Sequence, residues 1–485
     1  MTEQRAYDVI VIGAGAVGEN VADRTVQGGL RTVIVEAELV GGECSYWACM
    51  PSKALLRAGS VLREARAVEG AAAAITGELD PAGVFARRDR ITHDRDDASQ
   101  VRWLEGAGID LVRGHARLDG ERRVVVTASD GTQTVLTAAH AVVVSTGSAA
   151  LLPDVPGLAQ AAPWTSREAT SASSVPGRLA ILGGGVVACE MASAYADLGS
   201  EVTMLVRGGL LGGQEPFAGE MVGAALAERG VEVRSGVELA RAERRDGAVA
   251  MELSDGSTLV TDELLVAVGR TPRTQDVGLE TVGLEPGGWL DVDDTLRVDG
   301  VDWLYATGDV NHRVLLTHQG KYQARAAGDA IAARARGEEL DDAPWGRHVA
   351  TADHAHVPQV TFTDPEVASV GMTAAAAEKA GLRTRVVDYD LAWVAGASAR
   401  SDDYAGRGRA VIDEDRGVLV GVTFVGPDVG EMIQAATIAV VGEVPLHRLW
   451  HAVPAYPTVS EVWLRFLEEY GRDSADTRTA PGSRV

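Results

Sequence analysis

The chain has 485 residues, of which 45 are basic and 69 acidic, giving a formal net charge of −24. This length predicts two to four domains, and the acidic surface argues against binding to nucleic acid or to an anionic membrane. Because no apolar stretch reaches the roughly 20 residues of a membrane span, and the N-terminal residues lack the pattern of a signal peptide, we expect a cytoplasmic protein.

The first predicted elements form a nucleotide-binding βαβ unit. A β-branched run over residues 7–12 predicts a buried strand, and Gly13, Gly15 and Gly18 follow it. The first glycine permits a tight turn, the second lets the backbone approach a pyrophosphate, and the third packs helix against strand. Glu36 ends the next strand, where a carboxylate can accept hydrogen bonds from a ribose. The unit predicts a bound dinucleotide.

Two of the three cysteines follow this unit with four residues between them, Cys44 and Cys49. A cytosolic protein with few cysteines seldom uses them as structural staples, so we interpret the pair as redox-active. A helix predicted to begin at Pro51 would direct its positive end toward both sulfurs and favour a thiolate. The third cysteine, Cys189, is predicted to be buried by packing.

The dinucleotide fingerprint repeats in the middle of the chain. Gly183, Gly185 and Ala188 follow a second apolar strand, and this copy aligns with the first without a gap from Gly13 onward. Two such units in one chain predict two bound dinucleotides, with electron transfer between them as their use.

The end of the repeated unit predicts which nicotinamide cofactor binds. Val206 occupies the position that Glu36 has in the first copy, and Arg207 follows it. A carboxylate would bind the ribose hydroxyls of NADH and repel a phosphate, whereas an arginine can pair with the 2′-phosphate of NADPH. We therefore favour NADPH, with NADH as the alternative.

The remaining strands and turns divide the chain into domains. Apolar strands ending in glycine turns are predicted at residues 141–147, 264–270 and 303–310. The predicted fold is α/β, with two Rossmann-like nucleotide-binding domains, the second inserted into the first, and a C-terminal α+β domain. The predicted boundaries are 1–151 and 277–348 for the first domain, 152–276 for the second, 349–470 for the third, and 471–485 for a disordered tail.

Taken together, these motifs resemble the flavoprotein (pyridine nucleotide-disulfide) oxidoreductase family, class I, which includes dihydrolipoamide dehydrogenase, glutathione reductase and mercuric reductase. The similarity spans about residues 5–470 in the family's order of motifs. It implies FAD in the first domain, NADPH or NADH in the second, and a homodimer formed through the C-terminal domain. Electrons would pass through FAD and the cysteine pair to a small-molecule acceptor.

The resemblance also implies roles for individual residues. Cys49 would exchange electrons with the flavin, Cys44 would attack the acceptor, and Lys53 and Glu190 would form an ion pair beside the flavin's reactive nitrogen. No metal site is expected. The implied cofactor-binding residues are Gly13, Gly15, Gly18, Glu36, Gly42, Lys53, Thr146, Gly147, Gly308 and Asp309 for FAD, and Gly183, Gly185, Ala188, Arg207 and Gly269 for the nicotinamide nucleotide.

The sequence departs from the family at its proton-relay motif. Tyr456 stands where a histidine is usual, five residues before the motif's Glu461, and the resemblance implies that the partner subunit supplies both residues to the site. A phenol with an ordinary pKa of about 10 protonates a leaving thiolate poorly near neutral pH, so His451 is the alternative acid–base residue. Mercuric reductases also have a tyrosine near this place, but they use a C-terminal cysteine pair, and no cysteine follows Cys189.

These departures leave several functions open. Both cysteines favour reduction of a disulfide, and Tyr456 favours a quinone, metal ion or other oxidant that needs no protonated leaving group. A dihydrolipoamide dehydrogenase subunit of a 2-oxo acid dehydrogenase complex is disfavoured by Arg207, and a nucleotide sensor would not need the cysteines. Tyr46 and Trp47, between the cysteines, are interpreted as narrowing access to Cys44 or as a stacking surface.

Overall fold

A computed structural model describes residues 3–471 as alternating strands and helices. The strands are β1 (Glu3–Ile12), β2 (Thr32–Glu36), β3 (Asp110–Arg113), β4 (His115–Leu118), β5 (Arg123–Thr127), β6 (Gln133–Val144), β7 (Ser148–Ala150), β8 (Arg178–Leu182), β9 (Glu201–Val206), β10 (Glu232–Ser235), β11 (Leu239–Arg245), β12 (Ala248–Leu253), β13 (Thr258–Thr261), β14 (Glu263–Val266), β15 (Arg270–Pro272), β16 (Leu304–Ala306), β17 (Pro358–Thr361), β18 (Glu366–Gly371), β19 (Thr384–Asp390), β20 (Arg407–Asp413) and β21 (Val418–Gly426).

The helices follow the same alternation along the chain. They are α1 (Ala16–Gln27), α2 (Gly42–Tyr46), α3 (Cys49–Arg66), α4 (Pro81–Ile91), α5 (Ala98–Gly106), α6 (Ser166–Ser171), α7 (Val186–Asp197), α8 (Pro216–Glu228), α9 (Thr317–Ala335), α10 (Ala374–Lys379), α11 (Ala395–Arg400), α12 (Val429–Val441), α13 (Leu446–Leu449) and α14 (Val462–Tyr470). Over the described residues, no helix combines the length and the apolar character that crossing a bilayer requires. Beyond Gly471, the predicted tail lies outside the described residues.

The first sheet has the strand order β3-β2-β1-β6-β5-β4, and β16 also pairs with β6. Its central strands are parallel, with Ile12 opposite Val35 on one side and Val144 on the other. Strands of this kind are covered on both faces, which explains their continuous apolar runs. Helices α1 and α9 pack so closely on one face that a Cβ on Gly28 would lie 2.5 Å from the Ala332 Cβ.

The chain passes from the first nucleotide-binding unit into a second one, and returns to the first, through a two-stranded ribbon. Strands β7 and β15 pair antiparallel, with Ala150 opposite Arg270. Between them lie the parallel sheet β10-β9-β8-β14 and the antiparallel sheet β11-β12-β13. Helix α7 connects β8 to β9 as α1 connects β1 to β2. The inserted arrangement agrees with the predicted order of units, while the domain boundaries stay predictions.

The C-terminal part is an antiparallel five-stranded sheet in the order β17-β18-β21-β20-β19. Helices α12 and α14 cover it, and Phe424 stacks on Phe466 with ring centroids 6.0 Å apart in its core. The predicted fold class, two Rossmann-like units followed by an α+β domain, is thus confirmed.

Two element boundaries differ from the prediction. Helix α3 begins at Cys49, two residues before Pro51, because proline is tolerated in the first turn, where its missing N–H has no intrahelical acceptor. The strand predicted over residues 303–310 is only β16, Leu304–Ala306, since Gly308–Asn311 forms a 3₁₀ turn. The earlier helix start places Cys49 itself in the first turn of α3.

Candidate active site

A cavity of about 440 Å³ lies where the carboxyl ends of β1 and β2 meet the cysteine segment. Gly15 and Glu36 line one end, and Cys44 and Thr317 line the other. The carboxyl edge of a parallel sheet is the usual place for a nucleotide in this type of fold. A single ligand in this cavity would therefore extend from the first fingerprint to the sulfur pair.

Each of the three positions of the first fingerprint is glycine for a different structural reason. Gly13 has φ +101°, and a Cβ there would lie 2.5 Å from the Ser145 carbonyl oxygen, while a Cβ on Gly18 would lie 1.9 Å from the Gly13 oxygen. A Cβ on Gly15 would have no protein atom within 4 Å. Gly13 and Gly18 are thus required by packing, whereas Gly15 leaves open space at the N-terminus of α1, where a phosphate would bind.

Polar groups around this cavity suit a dinucleotide. Glu36 Oε2 accepts a hydrogen bond from the Ala14 N–H at 2.7 Å and Oε1 accepts one from Glu38 N–H at 2.8 Å. Burial raises the pKa of Glu36, and these hydrogen bonds oppose that rise. The Thr146 hydroxyl is buried without a hydrogen-bond partner among the described residues. An oriented carboxylate and an unpaired hydroxyl fit the hydroxyl and phosphate groups of FAD.

Asp309 is held at the same cavity by two side chains from the ribbon. Ser148 Oγ donates a hydrogen bond to Asp309, and Arg270 Nε donates one to Ser148 Oγ at 2.5 Å. The Arg270 guanidinium also lies 3.7 Å from the Asp309 carboxylate. Gly308, with φ +77°, turns the backbone after β16 so that Asp309 reaches this network. The ribbon that joins the two units thus positions a residue predicted to bind FAD.

Cys44 and Cys49 lie close enough in the structure to form a hydrogen bond with each other as free thiols. A hydrogen bond from Cys44 lowers the pKa of Cys49 to about 6; burial opposes this, and Thr317 and Lys53 reinforce it. Cys49 Sγ lies 3.4 Å from Thr317 Oγ1. The pKa of Cys44 is raised, first by its hydrogen bond to Cys49 and then by burial. These opposite shifts favour the thiolate on Cys49 and the thiol on Cys44.

An ion pair joins the cysteine helix to the second unit. Lys53 Nζ on α3 lies 2.8 Å from Glu190 Oε2 on α7, and the Glu190 side chain is buried. The Phe362 N–H donates to Glu190 Oε1 at 3.0 Å, and the Lys53 ammonium lies 4.7 Å from the Phe362 ring centroid. The structure brings together Lys53 and Glu190 as expected; their role beside the flavin stays a prediction.

A second cavity, of about 730 Å³, follows the repeated fingerprint. Gly183, with φ +130°, would place a Cβ 2.2 Å from the Ala267 carbonyl oxygen, whereas Gly185 again faces open space. Ala188 is buried, and Gly269, with φ +150°, lies in the cavity wall. The site repeats the geometry of the first cavity and suits a second dinucleotide.

Arg207 lies in the wall of this second cavity, directly after β9. Its side chain is exposed and makes no ion pair with any residue in the described part of the chain. A guanidinium in this position is available for a phosphate on the adenosine ribose.

The aromatic residues between the cysteines are buried. Tyr46 donates a hydrogen bond to the Val40 carbonyl oxygen at 3.0 Å. The Arg167 guanidinium lies 3.9 Å from the Trp47 ring centroid and pairs with Glu38. Trp47 also lines the first cavity beside Cys44, so narrowed access to Cys44 and a stacking surface both stay predictions.

The C-terminal proton-relay motif is not part of the site within one chain. Tyr456 is 78% exposed, and His451 is also exposed. Glu461 is buried, and its Oε1 accepts hydrogen bonds from the Gly396 and Thr458 N–H groups, both at 3.2 Å. In the described residues none of these side chains bonds to a cysteine. Their participation through a partner subunit stays a prediction.

Sequence reasoning missed two residues of α9 and one of α1. Thr317 contacts Cys49, and Lys321, one turn later on α9, interacts electrostatically with Cys44. Glu19 on α1 is buried near the same lysine. A threonine carries no recognisable spacing signal, but Lys321 could have been found, because the chain contains only three lysines.

Comparisons with known proteins agree with this geometry. Residues 7–328 match the family model described as pyridine nucleotide-disulphide oxidoreductase, and residues 357–465 match its dimerisation domain. Mercuric reductase from Shigella flexneri is 33% identical over 96% of this chain and 81% of the relative. Dihydrolipoyl dehydrogenase from Haloferax volcanii is 30% identical over 95% of both chains. The flavoprotein disulfide reductase RclA from Escherichia coli, solved as a Cu(II) complex, superposes with a TM-score of 0.82 at 23% identity, covering 95% of this chain and 99% of that one.

The chain therefore belongs to the pyridine nucleotide-disulphide oxidoreductase family. It is an enzyme that uses FAD and takes electrons from NADH or NADPH, and it acts on a sulfur group or a related acceptor. Its dimerisation domain indicates a homodimer.

Proposed function

We propose that this enzyme passes electrons from NADPH through FAD to the Cys44–Cys49 pair and from there to a small disulfide. The observation that carries the proposal is the different surroundings of the two sulfurs. Both sulfurs interact with the Thr317 hydroxyl, but Cys49 is also influenced by Lys53, whereas Cys44 is influenced by Lys321. A pair with one stabilised thiolate and one thiol suits stepwise thiol–disulfide exchange.

The chain's residues divide this work between them. When bound, FAD would relay the electrons of the nicotinamide to the sulfurs. Lys53, held by Glu190, places a positive charge beside Cys49, and Thr317 donates a hydrogen bond to its thiolate. These contacts hold negative charge on Cys49 and leave Cys44 to react with the acceptor. Because Cys44 also lines the first cavity, the assignment of Cys49 as the flavin-facing sulfur needs a direct test.

A count of thiols tests whether the pair cycles. The denatured oxidised holoenzyme should show one thiol, from Cys189, and three after anaerobic incubation with NADPH. Cys44→Ser should show long-wavelength absorbance from the Cys49 thiolate beside the flavin, and Cys49→Ser should lack it while FAD stays bound. If Cys49→Ser keeps the absorbance, Cys44 is the flavin-facing sulfur. If NADPH releases no thiols, the pair is not part of the electron path.

A second candidate function is the reduction of a quinone or metal ion. The replacement of the usual histidine by Tyr456 favours it, because an acceptor without a thiol leaving group needs no acid from that loop. The similarity to mercuric reductase also supports it. Steady-state assays with NADPH and either a dialkyl disulfide or a benzoquinone decide between the two: quinone turnover that survives in Cys44→Ser would favour this second function.

A further inference from the structure

Arg270 is the one residue, among those that the structure describes, that lines both nucleotide cavities. It begins β15, directly after Gly269, which turns the backbone with a φ of +150°. Strand β15 pairs with β7 and places Arg270 opposite Ala150, where the chain crosses between the two nucleotide-binding units. The residue therefore belongs to the wall of the site that suits FAD and to the wall of the site that suits the nicotinamide nucleotide.

A chain of hydrogen bonds runs from Arg270 to Asp309 in the first cavity. Arg270 Nε donates to Ser148 Oγ at 2.5 Å, and Ser148 Oγ donates to the Asp309 carboxylate. Because a guanidinium group can only donate, the Ser148 hydroxyl accepts from Arg270 and gives its single proton to Asp309. Arg270 thereby fixes the direction of the hydrogen bond that reaches Asp309.

Further contacts hold the Arg270 guanidinium in one orientation. Its Nη2 donates to the Ser148 carbonyl oxygen at 2.8 Å, and its Nε lies 3.7 Å from the Asp309 carboxylate. Two of its five N–H donors are thus used on one serine. In the part of the chain that the structure describes, the other N–H groups of Arg270 have no hydrogen-bond partner. They are available for an oxygen atom of a bound nucleotide.

The residues next to Arg270 belong to the first cavity alone. Ser148 and Asp309 line the first cavity and not the second, and Ser148 is buried. Arg273 also lines only the first cavity; its Nε donates to the Ser148 carbonyl oxygen at 3.1 Å, and it pairs with Glu43. Arg273 therefore shares the serine's carbonyl group with Arg270 but not its hydroxyl group. Of these side chains, only Arg270 can pass a change at Asp309 to the second cavity.

We propose that Arg270 is a positioning residue that couples the two nucleotide sites, so that FAD and the nicotinamide nucleotide each strengthen the binding of the other. A ligand that bonds to Asp309 would fix the chain from Asp309 through Ser148 to Arg270 in one arrangement. An arginine that is already ordered loses less conformational entropy when it binds a second ligand, which makes the coupling favourable. The inference goes beyond the proposed function and holds whichever acceptor the enzyme reduces.

Equilibrium dialysis of the holoenzyme against graded FAD, with and without a saturating oxidised nucleotide, measures the coupling. The probe is NADP⁺ or NAD⁺, whichever the parent binds more tightly, because neither can reduce the flavin. In the parent, the nucleotide should lower the dissociation constant of FAD about five- to tenfold, a usual size for coupling between two sites. In Arg270→Met, which keeps an unbranched side chain but removes the donors, the change should be less than about twofold.

Ser148→Ala tests transmission apart from direct contact. It breaks the link between Arg270 and Asp309 but leaves Arg270 in the wall of the second cavity. The coupling should fall below about twofold. Because coupling is reciprocal, the Ser148→Ala holoenzyme should also bind the oxidised nucleotide about five- to tenfold more weakly than the parent holoenzyme. A serine that only stabilised the first cavity would not change nucleotide binding in the second. Arg273→Met is the matched control and should keep the coupling of the parent.

The outcomes separate this inference from the proposed function. If the parent shows no coupling, or if Arg270→Met and Ser148→Ala keep all of it, the inference is wrong. If Arg273→Met removes the coupling as fully as Arg270→Met does, the effect comes from the general charge of the first cavity, and the inference is also wrong. If Arg270→Met does not retain FAD, the result for Ser148→Ala decides. The release of thiols by NADPH tests the proposed function independently, since the coupling is measured without any electron transfer.

Discussion

At the scale of single residues, the buried acid Glu19 has a cost for stability that depends on pH. Its pKa is raised from 4.5 to about 7 by burial, so the folded protein binds more protons than the unfolded chain between these values. Stability from this group is therefore full below about pH 4.5 and falls as the pH rises through 7.

Glu19→Gln should remove this loss of stability at higher pH. Relative to the parent, the variant should gain up to about 3 kcal/mol in free energy of unfolding between pH 4.5 and pH 8, because one pKa unit corresponds to about 1.4 kcal/mol. The measurement is the difference in urea midpoints between parent and variant holoenzyme across this range. A difference that does not vary with pH would show that Glu19 has an ordinary pKa.

At the same scale, Arg207 is the residue that we expect to set the nicotinamide preference. Its guanidinium lines the second cavity without an ion-pair partner in the described chain. A charge-assisted hydrogen bond contributes roughly 1.5–3 kcal/mol, so Arg207→Glu should lower kcat/KM for NADPH about ten- to hundredfold and spare NADH. Arg241→Glu, at an exposed position of β11, is the matched control and should leave the preference unchanged. Equal use of both nucleotides by the parent enzyme would contradict this role for Arg207.

At the scale of elements, the turn from β1 into α1 contains one glycine that protein packing requires, Gly18, and one that faces the space for a ligand, Gly15. A methyl group at Gly18 would lie 1.9 Å from the Gly13 oxygen, but one at Gly15 meets no protein atom. Gly18→Ala should therefore destabilise the apoprotein as well as the holoenzyme. Gly15→Ala should leave the apoprotein's melting temperature unchanged and weaken FAD binding, because its methyl group would occupy the space for the pyrophosphate.

Fluorescence titration of apoprotein with FAD, beside thermal melts without FAD, measures both effects. Gly185→Ala is the internal comparison. Gly185 lines the second cavity, so this variant should weaken NADPH binding while FAD binding stays unchanged. Tight FAD binding by Gly15→Ala would show that the cofactor does not approach this turn.

At the scale of the whole molecule, apolar side chains in the C-terminal part indicate the surface that the dimer covers. Val453 is 84% and Ile438 is 61% exposed in a single chain, both within the residues that match the dimerisation domain. Val453→Asp should therefore yield a monomer, since a buried unpaired charge at an interface is strongly unfavourable.

Light scattering coupled to gel filtration measures this change. Val260→Asp, on the exposed face of β13, should remain a dimer and serves as the control. The Val453→Asp monomer should still release two thiols with NADPH, because both cavities and the cysteines lie within one chain. A dimer that persists in this variant would place the interface elsewhere.

The sequence by itself determined both nucleotide units, the cysteine pair and the order of the parts. These features depend on local requirements: Gly13 and Gly183 adopt positive φ at tight turns, and Cys44 and Cys49 are joined by a short segment. Such requirements are visible in spacing alone. The pairing of Lys53 with Glu190 across 137 residues was within reach only through the family resemblance.

Only the tertiary structure decided what surrounds the sulfurs. Thr317 is 268 residues from Cys49, and it reaches the sulfur because α9 packs against α1 on one face of the first sheet. The same packing buries Glu19 and brings Lys321 within range of an electrostatic interaction with Cys44. Burial and electrostatic neighbours depend on how distant segments pack, and they set the pKa values on which the chemistry depends. No periodicity or spacing in the chain encodes them.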